Sequence, residues 1–410
     1  MESQAVFDVT KYGGSSDDIT QKKKGLMSAW EEACASTTSS QVLIPKGTFT
    51  LKEVEIKGPC KAPVQINLQG TVKAPIDSKL FKTDAWISIN YVNQLTVSGG
   101  GTLDGQGHVA WSQNDCHKNS QCKFPASVRF NFVTNSTVTD VTSLDSKNFH
   151  VTILGCNNFT FQHFTIKAPD SSINTDGIHI GRSTNIFILD TTIQTGDDCI
   201  SLGDGSQQVT VERVTCGPGH GISVGSLGKY DEEEPVIGFT VKNCTITGTD
   251  NGVRIKTWPA AKPGVASDMH FEDIIMENVS NPILIDQEYC PFSLCASMLS
   301  VKTICQAFTL FKQHTDKIEL AFSHLCLQAP SKVQIGNVSF NNIVGTSATQ
   351  VAVKLTCSAA FPCKDVHVGN VDLTYKGPKV PPSASAPMSS QNFPASRIHQ
   401  CVLKLLSSIK

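Results

Sequence analysis

Charge is scarce in this sequence. Asp, Glu, Lys and Arg make up 17% of its 410 residues, against roughly a quarter in ordinary globular chains. Acids and bases nearly cancel, leaving a formal charge of −2. That balance excludes a global electrostatic pull toward nucleic acid or an acidic membrane, so neither is expected as a partner. A polyanionic ligand would have to be met by a few local cations. Also missing is any run of about 18 apolar residues, the length a spanning helix needs. Met1–Lys11 lack the apolar core of a secretory leader. The expectation is a leader absent from this sequence rather than a protein that stays inside. The 15 cysteines lack the paired Cys-x-x-Cys spacing of a structural zinc site, so no metal and no cofactor are expected. Such a cysteine content suits disulfides in an oxidising compartment. Sequons at Asn135, Asn158, Asn243, Asn278 and Asn337 agree with a secreted glycoprotein. Helical periodicity is confined to Ile19–Cys34, where Leu26, Met27 and Trp30 share one face. A helix there would cover the open end of a repeat domain, where a sheet edge is otherwise exposed.

What the sequence does have is repetition. Asn158–Ile166 reads NFTFQHFTI, Asn185–Ile193 reads NIFILDTTI and Gln208–Cys216 reads QVTVERVTC. Each is followed by a turn and a second short run: DGIHI at Asp176, DCISL at Asp198, HGISV at His220, NGVRI at Asn251. Ile178, Ile200 and Ile222 are 22 residues apart, and Val253 follows after 31, the excess falling around Gly228–Pro235. Short strands at such a period define a solenoid, here an all-β, single-domain parallel β-helix with an N-terminal capping helix. Equivalent residues of successive coils then stack about 4.8 Å apart.

Stacking turns spacing into adjacency. Asp176, Asp198 and His220 fall in one column, with Asp197 one residue before Asp198. Gly177, Cys199, Gly221 and Gly252 form the next column, read as bare backbone that a sugar ring can approach. Beyond it come His179, Ser201, Ser223 and Arg254, then Lys256. With Ile178 and Ile180 pointing inward, strand alternation sends His179, Arg254 and Lys256 outward. Asp176 escapes the same alternation only by sitting in the turn that enters the strand. The expected result is an exposed strip of carboxylates, an imidazole, a guanidinium and an ammonium. Asp-Asp and Asn-Thr-Asp are ordinary turn sequences one at a time, and a lone Arg or Lys is usually a solvated strand face. Together in register they suit glycoside hydrolysis, which needs one protonated carboxyl and one carboxylate to activate water. Arg254 and Lys256 suit a uronic-acid carboxylate. Gly217–Gly221 lacks the helix and lysine of a nucleotide-binding loop.

At these residues the chain resembles the plant polygalacturonases. It carries Asn174-Thr175-Asp176, Gly196-Asp197-Asp198, Gly219-His220-Gly221 and Arg254-Ile255-Lys256 in order. The flanks CGPGHGISVGSLGK from Cys216 and ILIDQEYC from Ile283 are most similar to the pollen-type exopolygalacturonases. The resemblance covers about Phe7–Cys295 and Ser331–Tyr375. It implies a right-handed β-helix and an inverting hydrolase of α-1,4-galacturonosyl bonds in polygalacturonate, the backbone of pectin, without a metal. The implied setting is a secreted, wall-acting monomer that attacks chain ends. It implies Asp197 as general acid and Asp176 with Asp198 activating the water. His220 supports the protonation state of the acid, Arg254 and Lys256 bind the substrate carboxylate, and Tyr289 lines the same subsite. Asp176 and Asp198, one coil apart, would share the water while Asp197 approaches from the other face. That arrangement suits the wider carboxyl gap of inversion, about 6.5–9.5 Å.

Expected disulfides are Cys199–Cys216, Cys116–Cys122, Cys290–Cys295 and Cys357–Cys363. The hydrolase domain is placed at 1–376. Ser297–Leu327, rich in Leu, Phe, Ile and Lys, reads as an atypical insertion, and 377–410 as an irregular tail. A rhamnogalacturonan hydrolase or an inactive, allergen-like wall-binding protein are the alternatives. A calcium-dependent lyase fits less well, since the strip shows no clustered calcium ligands.

Overall fold

In the computed structural model the described residues are 4–13, 19–116, 119, 122–291, 330–375 and 391–392. The expected insertion at 297–327 lies outside them. So does nearly all of the expected tail, in which only Gln391–Asn392 is described, antiparallel to Lys364–Tyr375. The chain winds as a right-handed parallel β-helix. One sheet has ten strands, from Val54–Lys57 through Ile178–Gly181, Ile200–Leu202, Ile222–Leu227 and Asn251–Thr257 to Val353–Thr356. The remaining strands make the other walls.

The register is the one the 22-residue spacing predicts. Ile178 pairs with Ile200, Ile200 with Ile222, and Ile222 with Val253. All four are fully buried, and Ile283 extends the column. Inside, Phe130, Phe159, Phe161 and Phe164 pack ring on ring, with centroids 4.9–6.0 Å apart. Each fully buried side chain of this size contributes about 1.5–3 kcal/mol.

The helix Ile19–Ala35 covers the first coil. Leu26, Ala29, Trp30 and Ala33 are buried, while Met27 packs at the edge. The Trp30 indole donates to the Lys57 carbonyl at 3.0 Å, and Cys34 is bonded to Cys60 in the coil beneath. That disulfide was not expected. Cys116–Cys122, Cys199–Cys216 and Cys357–Cys363 form as expected. Cys290 is disulfide-bonded, and its expected partner Cys295 lies outside the described residues.

One kind of bend between strands is a single left-handed residue, repeated coil after coil. Asp140, His163, Asp190, Arg213, Asn243, Asp273, Asn342 and Asn370 have φ between 48° and 55°. From His163 to Asn370 each follows a pair of residues in register, so they form one column along the solenoid. Asn and Asp tolerate this conformation best because their short polar side chains bond locally. His163 and Arg213 are held there by contacts to Asp140 at 3.7 Å and Asp190 at 2.6 Å. All five sequon asparagines are exposed and left-handed, with φ of 49–55°.

Candidate active site

The site grows from the turns that enter the ten-stranded sheet. Asp176 lies in the turn before Ile178–Gly181, and Asp197 and Asp198 in the turn before Ile200–Leu202. Asp176 therefore stands in the turn where strand alternation lapses, as its outward role requires. His220 precedes Ile222–Leu227, and its amide donates to the Asp197 carbonyl at 2.7 Å. Arg254 and Lys256 project from Asn251–Thr257.

The expected strip is not exposed. Asp176, Asp198, Arg254 and Lys256 are 6%, 1%, 9% and 6% exposed, and Asp197, His220, His179 and Tyr289 are half-buried. The reason is mutual neutralisation across coils. Asp198 Oδ1 accepts from Arg254 Nη2 at 2.8 Å and from Ser223 Oγ at 2.8 Å. Its Oδ2 accepts from Lys256 Nζ at 2.5 Å. Arg254 Nε also donates to Ser223 Oγ at 3.0 Å. Charge burial is tolerable when charges are paired and hydrogen-bonded in this way.

The carboxyls are treated oppositely. Burial opposes ionisation of Asp198, but the charges of Lys256 and Arg254, with hydrogen bonds from Lys256 and Ser223, outweigh it and bring its carboxyl down to about 2. Burial pushes the Asp176 carboxyl well above the usual range, and the charges of Asp197 and Asp198 push it further. Lys256 and a 2.8 Å hydrogen bond from Ser201 Oγ to Oδ2 offset this only in part. His220 Nδ1 lies 3.1 Å from Asp197 Oδ1, and this bond holds the imidazole's proton more tightly than usual against the effect of burial. Its Nε2 lies 3.5 Å from Asp250, an exposed acid that the column alignment left out.

The Tyr289 ring sits against the cations, its centroid 5.8 Å from Arg254 Cζ and 5.3 Å from Lys256 Nζ. Trp258 meets it edge-on at 5.8 Å and carries Lys229 at 5.3 Å on its own ring. Lys262 reaches Asp231 at 3.1 Å, tying the 259–263 loop to the 228–235 loop beside the site. All seven residues expected from sequence are thus brought together. Ser201, Ser223 and His179 lay in an aligned column but received no role from it.

The glycine column is not a floor for sugar. A methyl group at Gly221 would lie 2.0 Å from the Asn251 carbonyl oxygen, and one at Gly252 2.3 Å from that of Pro282. At Gly177 it would meet the Cys199 carbonyl at 2.4 Å. Glycine here lets backbones of neighbouring coils close on each other. Cys199, in the same column, turns inward to its disulfide and is fully buried.

Asp197, Asp198 and His220 present ligand-type atoms within 4.8 Å of one another. A cation there would compete with Lys256 and Arg254, which already occupy both oxygens of Asp198. The chemistry of this donor set favours proton transfer over metal binding. The approach of Asp197 to Asp198 is also shorter than the inverting gap of about 6.5–9.5 Å, so this pair alone does not carry the inversion argument made from coil spacing.

A parallel β-helix with three acids at one turn position is an architecture of glycoside hydrolases. The chain belongs to glycosyl hydrolases family 28, whose model matches residues 34–307 and 319–392. It is 52% identical to an exopolygalacturonase of Oenothera organensis, covering 88% of this chain and 91% of that one. It is 46% identical to an exopolygalacturonase of Platanus acerifolia over 97% of each, and 49% identical to a polygalacturonase of Nicotiana tabacum over 94% and 89%. Among solved structures, the endo-xylogalacturonan hydrolase of Aspergillus tubingensis superposes with a TM-score of 0.72 at 22% identity, covering 94% of this chain and 99% of that one. An exopolygalacturonase of Thermotoga maritima gives 0.68 at 14%, covering 96% and 95%. At those identities the structures speak to the fold alone.

Proposed function

We infer that the protein hydrolyses α-1,4-galacturonosyl bonds of polygalacturonate from chain ends, by a single inverting displacement. The observation that carries the reading is the gathering of three carboxyls, Asp176, Asp197 and Asp198, at one turn position, with Arg254 and Lys256 paired to Asp198 beside them. Hydrolysis of this kind requires one carboxyl to protonate the leaving oxygen and carboxylate to activate the water. In this reading Asp197 protonates the leaving oxygen, and Asp176 with Asp198 orients and deprotonates the water. His220, hydrogen-bonded through Nδ1 to Asp197, holds that acid in place. Arg254 and Lys256 outnumber the one carboxylate they bind, so their cluster keeps a net positive charge for a uronate, with Tyr289 packed along it. Because Asp176 holds its proton tightly, turnover rises as pH climbs through its pKa.

Chain-end attack draws on the names of the similar exopolygalacturonases. The tied loops 228–235 and 259–263 supply a wall at one side of the site. Action outside the cell, on wall pectin, is supported by four described disulfides. Incubation with polygalacturonate, with and without a chelator, tests the reading. Galacturonate monomers should accumulate with reducing ends, unaffected by chelator. Mixed oligomers with a rapid fall in viscosity would refute chain-end attack. An unsaturated, ultraviolet-absorbing product, or no new reducing ends at all, would refute hydrolysis.

A further inference from the structure

Two serines stand one coil apart in the outward column of the ten-stranded sheet, Ser201 paired with Ser223. Both are buried, at 2% and 0% exposure. Each donates its hydroxyl proton to a carboxylate: Ser201 to Asp176 and Ser223 to Asp198, both at 2.8 Å. A hydroxyl has one proton to give and two lone pairs to fill. When a neighbour with no acceptor role donates into a lone pair, the single proton is committed to the remaining acceptor. Arg254 does this for Ser223, through Nε at 3.0 Å. For Ser201 the neighbour is His179, whose Nδ1 lies 2.7 Å from Oγ.

We propose that His179 and Ser201 are positioning residues of the hydrolysis: the imidazole N–H fixes the Ser201 hydroxyl, and that hydroxyl favours the ionised form of Asp176, the form that activates water. The proposal rests on the reading of Asp176 as a base. The imidazole is suited to the part. Burial, with the charge of Lys256, brings its pKa down to about 4, opposed by Asp198 and Asp204. Above that pH the ring is neutral and carries one N–H. With the N–H on Nδ1, the bond to Ser201 has a defined direction. Nε2 faces Gly203, where a methyl group would lie 3.3 Å away, and the Phe149 ring packs at 5.3 Å.

The groups acting on Asp176 set the sign. Burial first, then the charges of Asp197 and Asp198, favour its proton, whereas Lys256 and the Ser201 bond favour ionisation. Loss of the Ser201 bond therefore raises an already raised pKa, and the acid limb of the kcat profile moves to higher pH.

The test compares Ser201→Ala, His179→Leu and His179→Asn with the parent enzyme on polygalacturonate across pH, with thermal unfolding recorded for each. Ser201→Ala should move the acid limb up by about one pH unit, with KM within about twofold. His179→Leu should do the same. His179→Asn, whose amide nitrogen takes the place of Nδ1–H, should return the limb to the parent position. An unmoved limb in Ser201→Ala overturns the proposal, as does an Asn variant indistinguishable from the Leu variant. Should Ser201→Ala fail to fold, the two His179 variants still decide it. Asp176→Asn separates the two levels. Turnover retained in that variant sinks the base assignment itself, whereas a dead Asp176→Asn beside a parent-like Ser201→Ala sinks only the positioning roles.

Discussion

Lys256→Met removes one of the two cations on Asp198 while keeping the length and apolar stem of the side chain. From sequence, Lys256 and Arg254 are substrate ligands, and their loss should weaken binding. The structure predicts a different first effect, because the ammonium is 2.5 Å from a carboxylate that is 1% exposed. In the folded parent, Asp198 is held at about 2 against an ordinary 3.8. A folded pKa below the unfolded one contributes stability that is present above the unfolded pKa and lost as pH falls through the folded one. The difference is worth about 2 kcal/mol, present above pH 4 and gone near pH 2. Taking away Lys256 leaves burial opposed only by Arg254 and Ser223, so the Asp198 pKa rises. Breaking a buried pair outright costs about 3–5 kcal/mol. With one cation retained, a loss of about 2 kcal/mol near pH 6 is expected. Thermal unfolding against pH measures this directly. The gap between parent and variant should be widest near pH 6 and should close as pH falls from about 4 to about 2. In kinetics, kcat should fall more than KM rises, with the acid limb displaced upward. A variant as stable as the parent at pH 6, changed only in KM, would refute the counter-ion role and return Lys256 to the substrate alone.

Asp197→Asn should cost about 10²–10⁴-fold in kcat on polygalacturonate with unfolding unchanged. It should be largely rescued on α-galacturonosyl fluoride, whose leaving group needs no proton. Failure of rescue there, with rescue in Asp176→Asn instead, would exchange the two roles. NMR of the newly formed reducing end should show the β-anomer first; an initial α-anomer means retention and removes Asp176 and Asp198 as base. Reduction of Cys199–Cys216, which closes a 17-residue separation between two site turns, should cost about 3 kcal/mol. Unfolding of a Cys199→Ser, Cys216→Ser variant checks it, and parent-like stability would show that the coil contacts suffice.

The columns were legible because a parallel coil maps a constant period onto a constant direction. Ile178, Ile200, Ile222 and Val253 pair as their spacing says, and the acids, His220, Arg254 and Lys256 followed from that register. What spacing does not carry is reach. Arg254 and Lys256 bridge 56 and 58 residues back to Asp198, so partners in different columns neutralise each other, and the strip is buried where exposure was expected. The glycines were misread for a related reason: a bare backbone serves the next coil as readily as a ligand, and the one-letter pattern is identical. Cys34–Cys60 joins the capping helix to the first coil, outside any repeat, so no period pointed to it.

The single-residue bends have a consequence for how such an enzyme can change. A corner made by one left-handed residue has no slack. One residue added there would rotate every following side chain by half a strand period and turn the core outward. The turns at the edges of the ten-stranded sheet are unconstrained in this sense, as the 228–235 loop that leaves Ile222–Leu227 shows. Neighbouring coils differ in length from 22 to 31 residues between Ile178 and Val253, yet the isoleucine column stays in phase. Insertions are therefore absorbed at the edges of that sheet, beside the site, while the single-residue corners keep time. Subsite walls, loop length and the number of sugars held can be rewritten there without retuning the spine, and grafts between coils should be planned to begin and end at its corners.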